Sequence, residues 1–358
     1  MAPRKSFPSL RFFYFSQRQR SFLQAPKKGL NNHSYFSQDM AVKLGELYRM
    51  AIQLGMEHDP REPGELKADL ERVRERYEHM EVKEQDRFDK DSLWNPYYDS
   101  RLLHGDPDSE IGGVLWGIDI TPAEILLADR LRERGRRIDA VIGHHPRGRA
   151  QAQFPEVMHI MEYMMEDQGV PITVAEDILG PRIREVARGI SPNNIDQAVD
   201  AARLLGVPVM CLHSCTDNLV QRFLENHLKD KRPERVSDIL AALLDLPEYD
   251  RAARNNSYPE VLVGDKGRRA GKVMVKMTGG TSMPKDAYEN LAKAGVGTVV
   301  CMHVPENHIE EARKNHVNIV ISGHMPSDSL GVNLLADRVE ALGVEIVPCS
   351  GFIRVRRP

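Results

Sequence analysis

At 358 residues the chain is long enough for two domains, or for one large one with a sizeable core. Lys and Arg number 49 against 52 Asp and Glu, so whole-chain charge exerts no pull towards an anionic polymer, and no apolar stretch approaches the ~20 residues of a membrane span. Four cysteines, Cys211, Cys215, Cys301 and Cys349, sit in or beside apolar runs. They read as buried thiols of a reducing cytosol, and the C-x3-C spacing of the first two, with no second pair nearby, argues against a structural zinc site.

Residues 1–39 carry seven basic side chains and no acid before Asp39. That composition resembles an organellar transit peptide, but Met40 opens directly into an amphipathic segment and is the favoured start. The extension is expected to be disordered or not translated, and to lie outside the fold. A helical segment over 40–110 follows. Leu44, Leu47, Tyr48, Ala51 and Leu54 recur at helical spacing. After a break at Pro60 to Gly64, a charged helix is predicted from Glu65 to about Asp86, with one solvated face. Trp94-Asn95-Pro96-Tyr97 reads as a turn.

From residue 111 the texture becomes βα alternation, divided into a first half over 111–250 and a second over 251–358. Strands are predicted at 113–118, 138–142, 170–174 and 207–212, and then at 272–277, 296–302, 317–321 and 344–347. Thr121 with Glu124 has the form of a helix capping box. The Met-rich stretch from Phe154 to Asp167 is predicted to be a helix, with Met158, Met161, Met164 and Met165 as core. Because the strand runs are continuously apolar and not alternating, the fold class is α/β, with mostly parallel sheets covered by helices.

Four of these strands end in histidine: His144-His145 after Ile142-Gly143, His213 after Leu212, His303 after Met302, and His324 after Ser322-Gly323. Ligands of open α/β sheets bind at the carboxyl ends of strands, and a repeated strand-end imidazole is hard to explain by packing. Two of the four recur as strand, H-x-x-[ST]-D, helix: His213 to Asp217 and His324 to Asp328. Thr216 and Ser327 are expected to cap those helices, placing Asp217 and Asp328 in the first turn. There each could serve as a metal ligand or simply complement the helix dipole. Beyond the end of a strand, His144 and His145 can reach two different ions. Mixed imidazole and carboxylate ligation suits zinc, iron(II) or manganese, in a mono- or a dinuclear site. Asp119 is a further acid at this edge, with helix capping as its simpler role. Gly279-Gly280-Thr281 after a strand could admit an anion such as phosphate, although a tight turn is the more common meaning.

These elements together resemble the NGG-interacting-factor-three family, also called GTP cyclohydrolase 1 type 2-like. The resemblance covers about Lys43 to Pro358. It runs through Gly117-Ile118-Asp119, His144-His145-Pro146, His213 to Asn218, Thr278 to Thr281, Ser322 to Gly331 and Ser350 to Val355. It implies two similar α/β halves, two divalent metal ions in the cleft between them, and a homo-oligomer, often hexameric. The ligands it implies are His144, His145, Asp217, His324 and Asp328. Many relatives carry Glu at the positions of Asp328 and His303, so a shorter carboxylate here could change metal preference.

The working expectation is a cytoplasmic metal-dependent hydrolase acting on a purine nucleotide or related small molecule, with His213 and His303 as general acid/base candidates. Its rival is a non-catalytic metal-binding or protein-interaction protein, in which the site would be closed. A dinuclear phosphoesterase ranks third, because D-x-H and G-N-H elements are missing. No basic aromatic strip marks a nucleic-acid groove, so the expected partner is a small molecule.

Overall fold

Val114, Leu115 and Trp116, then Ala140, Val141 and Ile142, then Val209, Met210 and Cys211 are all buried, as continuous apolar runs require of strands covered on both faces. The computed structural model describes residues 42–357. Its two main sheets are built from nine strands: β1 (Arg101–His104), β2 (Gly113–Gly117), β3 (Ala140–Gly143), β4 (Val209–Cys211), β5 (Glu260–Val263), β6 (Lys272–Lys276), β7 (Val296–Cys301), β8 (Asn318–Ile321) and β9 (Glu345–Cys349). The first sheet has the order β9-β2-β3-β4-β1 and the second β5-β8-β7-β6. Every pairing is parallel except β1 on β4 and β5 on β8, each an edge strand. The fold is therefore α/β, two halves with mostly parallel sheets. One apolar cluster runs through both, including Trp116, Ile142 and Met210 from the first sheet and Met274, Val299 and Ile319 from the second.

Several local expectations are corrected. Residues 170–174 form no strand: Pro171 precedes a helix over Ile172–Ile190, which buries Ala175 and Leu179. Pro fits the start of a helix because the first backbone N–H groups there have no intrahelical acceptor. The charged helix ends at Glu78, and a single further turn spans Val82–Gln85. The Met-rich stretch starts as a 3-10 helix over Phe154–His159 and continues as an α-helix over Ile160–Asp167. Its four methionines are core. Two strands lie where the sequence reading placed none: β1 in the segment expected to be helical, and β5. The last strand, β9, returns to pair with β2 of the first sheet. The basic extension over 1–39 lies outside the described residues.

Three helices position the site: α1 (Leu44–Glu57), α2 (Ser214–Lys231) and α3 (His324–Ala341). Helices α2 and α3 follow β4 and β8 directly and cross each other closely at Gly331. A Cβ on Gly331 would stand 2.3 Å from the Thr216 carbonyl oxygen. That atom is backbone and cannot swing away.

Overpacking of this kind costs about 1–3 kcal/mol. Gly331→Ala is therefore expected to destabilise the protein by about that amount, although alanine favours helix by roughly 0.5–1 kcal/mol. Urea unfolding followed by circular dichroism would read it. An unchanged or raised midpoint would mean that the crossing is looser than described.

Candidate metal centre

The main chain after β2 receives the two adjacent histidines. The His144 N–H donates to Gly117 O at 3.0 Å and the His145 N–H to Ile118 O at 2.9 Å. Their rings are oriented by hydrogen bonds at Nδ1: His144 to Thr216 Oγ1 at 2.9 Å, and His145 to Asp119 Oδ1 at 2.9 Å. Arg147 also donates to Asp119 Oδ1, at 3.1 Å. Asp119 is thus neither a helix cap nor part of the ligand groups, and it orients His145 from behind. Such partners fix which ring nitrogen is free, here Nε2 in both.

His213 and His324 stand at the starts of α2 and α3, so Asp217 and Asp328, four residues on, lie on the same helix face. Thr216 and Ser327 do not cap. Each sits inside its helix, and its hydroxyl donates back to the carbonyl four residues earlier, Leu212 and Gly323. The helices begin earlier than expected, which leaves Asp217 in the first turn and Asp328 just beyond it.

Asp328 is the hub. Its Oδ1 lies 3.5 Å from His144 Nε2, and its Oδ2 lies 3.4 Å from His145 Nε2 and 3.3 Å from His324 Nε2. Asp217 Oδ1 lies 3.4 Å from His144 Nε2. The two imidazole Nε2 atoms of His145 and His324 are 3.3 Å apart. The distances group the donors into His144, Asp217 and Asp328 on one side, and His145, His324 and Asp328 on the other. His213 forms a third possible group with His144 and His145.

These residues fit a pair of cations. Charge-assisted hydrogen bonds would be near 2.7–2.9 Å, whereas ligand atoms on a tetrahedron of about 2.1 Å radius stand roughly 3.4 Å apart. His144 Nε2, Asp217 Oδ1 and both carboxylate oxygens of Asp328 are buried without a hydrogen-bond partner. Four orphaned polar atoms converging on one place are costly unless something charged joins them.

The electrostatics agree. Burial pushes the Asp217 carboxyl up to about 7, with His144 opposing and Asp328 adding to the rise. Burial acts the same way on Asp328, but His144, His145 and His324 outweigh it and hold that carboxyl well below its ordinary range. His145 is lifted to about 9: burial opposes the charge, but Asp119 and Asp328 prevail. Burial lowers His324 to about 4.

A pocket opens beside the cluster, lined by residues including His213, Asp217, Lys276, Gly280, His303 and Asp328. His303 belongs to no ligand group. Its ring centroid lies 4.9 Å from that of His324, and burial, followed by Lys276, pushes its pKa down. A second cleft, lined by Tyr48, Arg49, Trp94 and Arg149 among others, shares no residue with this pocket.

Among solved structures, the NIF3 superfamily protein of Sphaerobacter thermophilus is similar at 27% identity and a TM-score of 0.66, over 87% of this chain and 100% of that one. This likeness supports a NIF3 superfamily assignment. Reduced HcgD from Methanocaldococcus jannaschii is a more distant likeness, at 13% identity and a TM-score of 0.45 over 69% of this chain and 87% of that one. A Staphylococcus aureus hypothetical protein has 13% identity and a TM-score of 0.40 over 73% and 92%. No protein-family model and no curated protein sequence matches the chain.

Two residues of the site escape a reading of the sequence. Asp99, fully buried, accepts from His213 Nδ1 at 2.7 Å and from Ser214 Oγ at 2.7 Å. Burial pushes the Asp99 carboxyl up, but His213 and Ser214 outweigh it, so the pKa falls and the group stays an acceptor. His213 therefore carries its proton on Nδ1 facing Asp99. In the neutral ring this leaves the Nε2 lone pair towards Asp217, whose Oδ2 is 3.8 Å away. No motif could reveal Asp99, because its partners lie 114 and 115 residues further along. Lys276 carried a visible signal, a charge directly after the apolar Val273-Met274-Val275 of its strand.

Asp99→Ala removes the acceptor of His213 Nδ1, Ser214 Oγ, the Ser214 N–H and Ser100 Oγ, and a buried donor left unpaired costs about 1–3 kcal/mol. Chemical denaturation should show a stability loss in that range or above. A loss under about 1 kcal/mol would mean that water takes the carboxylate's place.

Proposed function

We propose that this protein holds two divalent ions, zinc, iron or manganese, and hydrolyses a purine nucleotide or related small molecule of the kind that GTP cyclohydrolase 1 type 2-like proteins are named for. The observation that carries the reading is Asp328, whose two unpartnered oxygens each face a different set of histidines. His144 and Asp217 would complete one position, His145 and His324 the other, with Asp328 shared. Ions held there would supply Lewis acidity and make water a nucleophile near neutral pH.

The chain's own groups would do the rest. His213, its tautomer set by Asp99, presents Nε2 as a proton acceptor at the edge of the pocket. His303 faces the same space from the second half and is held neutral by burial, so its ring can take a proton. The cluster faces a small opening of about 20 Å³, room for a single water, as an open coordination position requires. Self-association, hexameric by resemblance, belongs to the same proposal, and exposed Leu126 and Leu204 supply apolar surface for it. A reducing, cytoplasmic location is supported by Cys211, Cys215, Cys301 and Cys349, none of them in a disulfide. Among the described residues no helix is long and apolar enough to cross a membrane.

Elemental analysis of purified protein should find about two ions per chain, as expected for a dinuclear site. His324→Ala, at a half-exposed position, should lose one, and Asp328→Ala should lose both. Loaded with zinc, iron(II) or manganese in turn, the wild type should release formate from GTP and Asp328→Ala should not. Absence of metal even after reloading would remove the whole reading; bound metal with no turnover under any loading would remove the cyclohydrolase part of it.

A further inference from the structure

We propose that Lys276 and the loop Gly279–Ser282 form an anion subsite that takes the phosphoryl group of the molecule bound at the metal centre. The inference rests on the hydrolase reading above and names what its substrate must carry. Lys276 ends β6 at the edge of the pocket and is only 6% exposed. Burying an ammonium group is costly unless it is paired. Among the described residues it has no carboxylate within ion-pair distance, and its single hydrogen bond goes to the Thr281 carbonyl. Two of its three N–H groups are left over.

The loop adds neutral donors. Gly279 and Gly280 both have positive φ, 90° and 78°, which turns the chain tightly after β6. A Cβ on Gly279 would meet Met161 Cγ at 2.5 Å, so the loop is pressed against the Met-rich helix and held there. The backbone N–H groups of Gly280 and Ser282, both in the pocket wall, donate to no other described residue. The Thr281 N–H between them is taken up by the Gly279 carbonyl at 2.9 Å, which leaves two free N–H donors beside an ammonium, groups that can receive phosphate oxygens.

Charge decides what the subsite is for. Two divalent ions outweigh the carboxylates of Asp217 and Asp328, so a loaded centre is cationic. A buried lysine next to it would be repelled, unless an anion lies between them. Lys276 as a mere counter-ion for Asp217 would stand within ion-pair distance of it, and it does not.

The test measures binding of inorganic phosphate, guanosine monophosphate and guanosine by calorimetry, in wild type, Lys276→Gln and Lys276→Arg, each with and without added metal. Glutamine can still donate to the Thr281 carbonyl, so the loop keeps its anchor while the charge is lost. Phosphate and the monophosphate should bind Lys276→Gln at least about tenfold more weakly, the loss expected for one charge-assisted hydrogen bond. Lys276→Arg should retain most of the affinity, and guanosine should not distinguish the three. Equal phosphate affinity in wild type and Lys276→Gln, or no phosphate binding by wild type, would overturn the subsite. Metal content, measured on the same samples, reports separately on the dinuclear centre.

Discussion

The close crossing of α2 and α3 is the constraint on which the site depends. Each helix starts with a histidine and carries an aspartate one turn on, and each belongs to a different half of the molecule. Neither pair alone gathers the donors into one cluster. Only where the Gly331 backbone lies against the Thr216 carbonyl do Asp217 and Asp328 both come within 3.5 Å of His144 Nε2. Any side chain beyond hydrogen at Gly331 would meet the Thr216 carbonyl and force the two helices apart. Sheet packing brings the halves together, and one missing methyl group sets how close they come.

That approach carries an electrostatic cost, and the surrounding residues show how it is contained. Two buried carboxylates near one imidazole repel each other, and desolvation weighs on both. Three of the rings are fixed from behind by a group that takes no part in the cluster: Thr216 for His144, Asp119 for His145, Asp99 for His213. The free nitrogens are therefore aimed before anything binds, and the orphaned oxygens of Asp328 have no alternative partner to relax towards. The short Asp328 side chain spans both sets of histidines because the crossing has already supplied the reach.

Much of this was legible in the sequence, and the failures have local causes. Continuous apolar runs ending in His144-His145, His213, His303 and His324 marked the sheet edge, and repetition of H-x-x-[ST]-D pointed to the two aspartates. The hydroxyl residues in that motif were misread as caps. An N-cap serine or threonine and one that bonds back to the preceding turn look alike in sequence, and only the backbone angle at the helix start tells them apart. Residues 170–174 read as strand because five residues hold too little periodicity to distinguish a buried strand from the first turn of a helix. Asp99 and the pairing of β1 with β4 were beyond reach, since both are contacts between segments more than a hundred residues apart whose local composition carries no trace of them.

Helix α2 ties the remaining parts together. Its Asn218, next to Asp217, donates to Tyr97 Oη at 3.0 Å and accepts from Thr278 Oγ1 at 2.6 Å, and one turn on Gln221 accepts from Met277 N at 2.6 Å and donates to Val275 O at 2.8 Å. A single helix thus carries one aspartate of the cluster and, within four residues, the amides that clamp the end of β6 and with it Lys276. On the opposite side Gly55 of α1 fits against Cys215, where a Cβ would come within 2.6 Å. The helical segment before residue 110 is therefore structural support for this site: it brings Asp99, Tyr97 and the Gly55 contact to α2, which also holds the end of β6. Displacing α2 would move the metal cluster, the His213 tautomer and the Lys276 loop together, which is why these three features stand or fall as one arrangement.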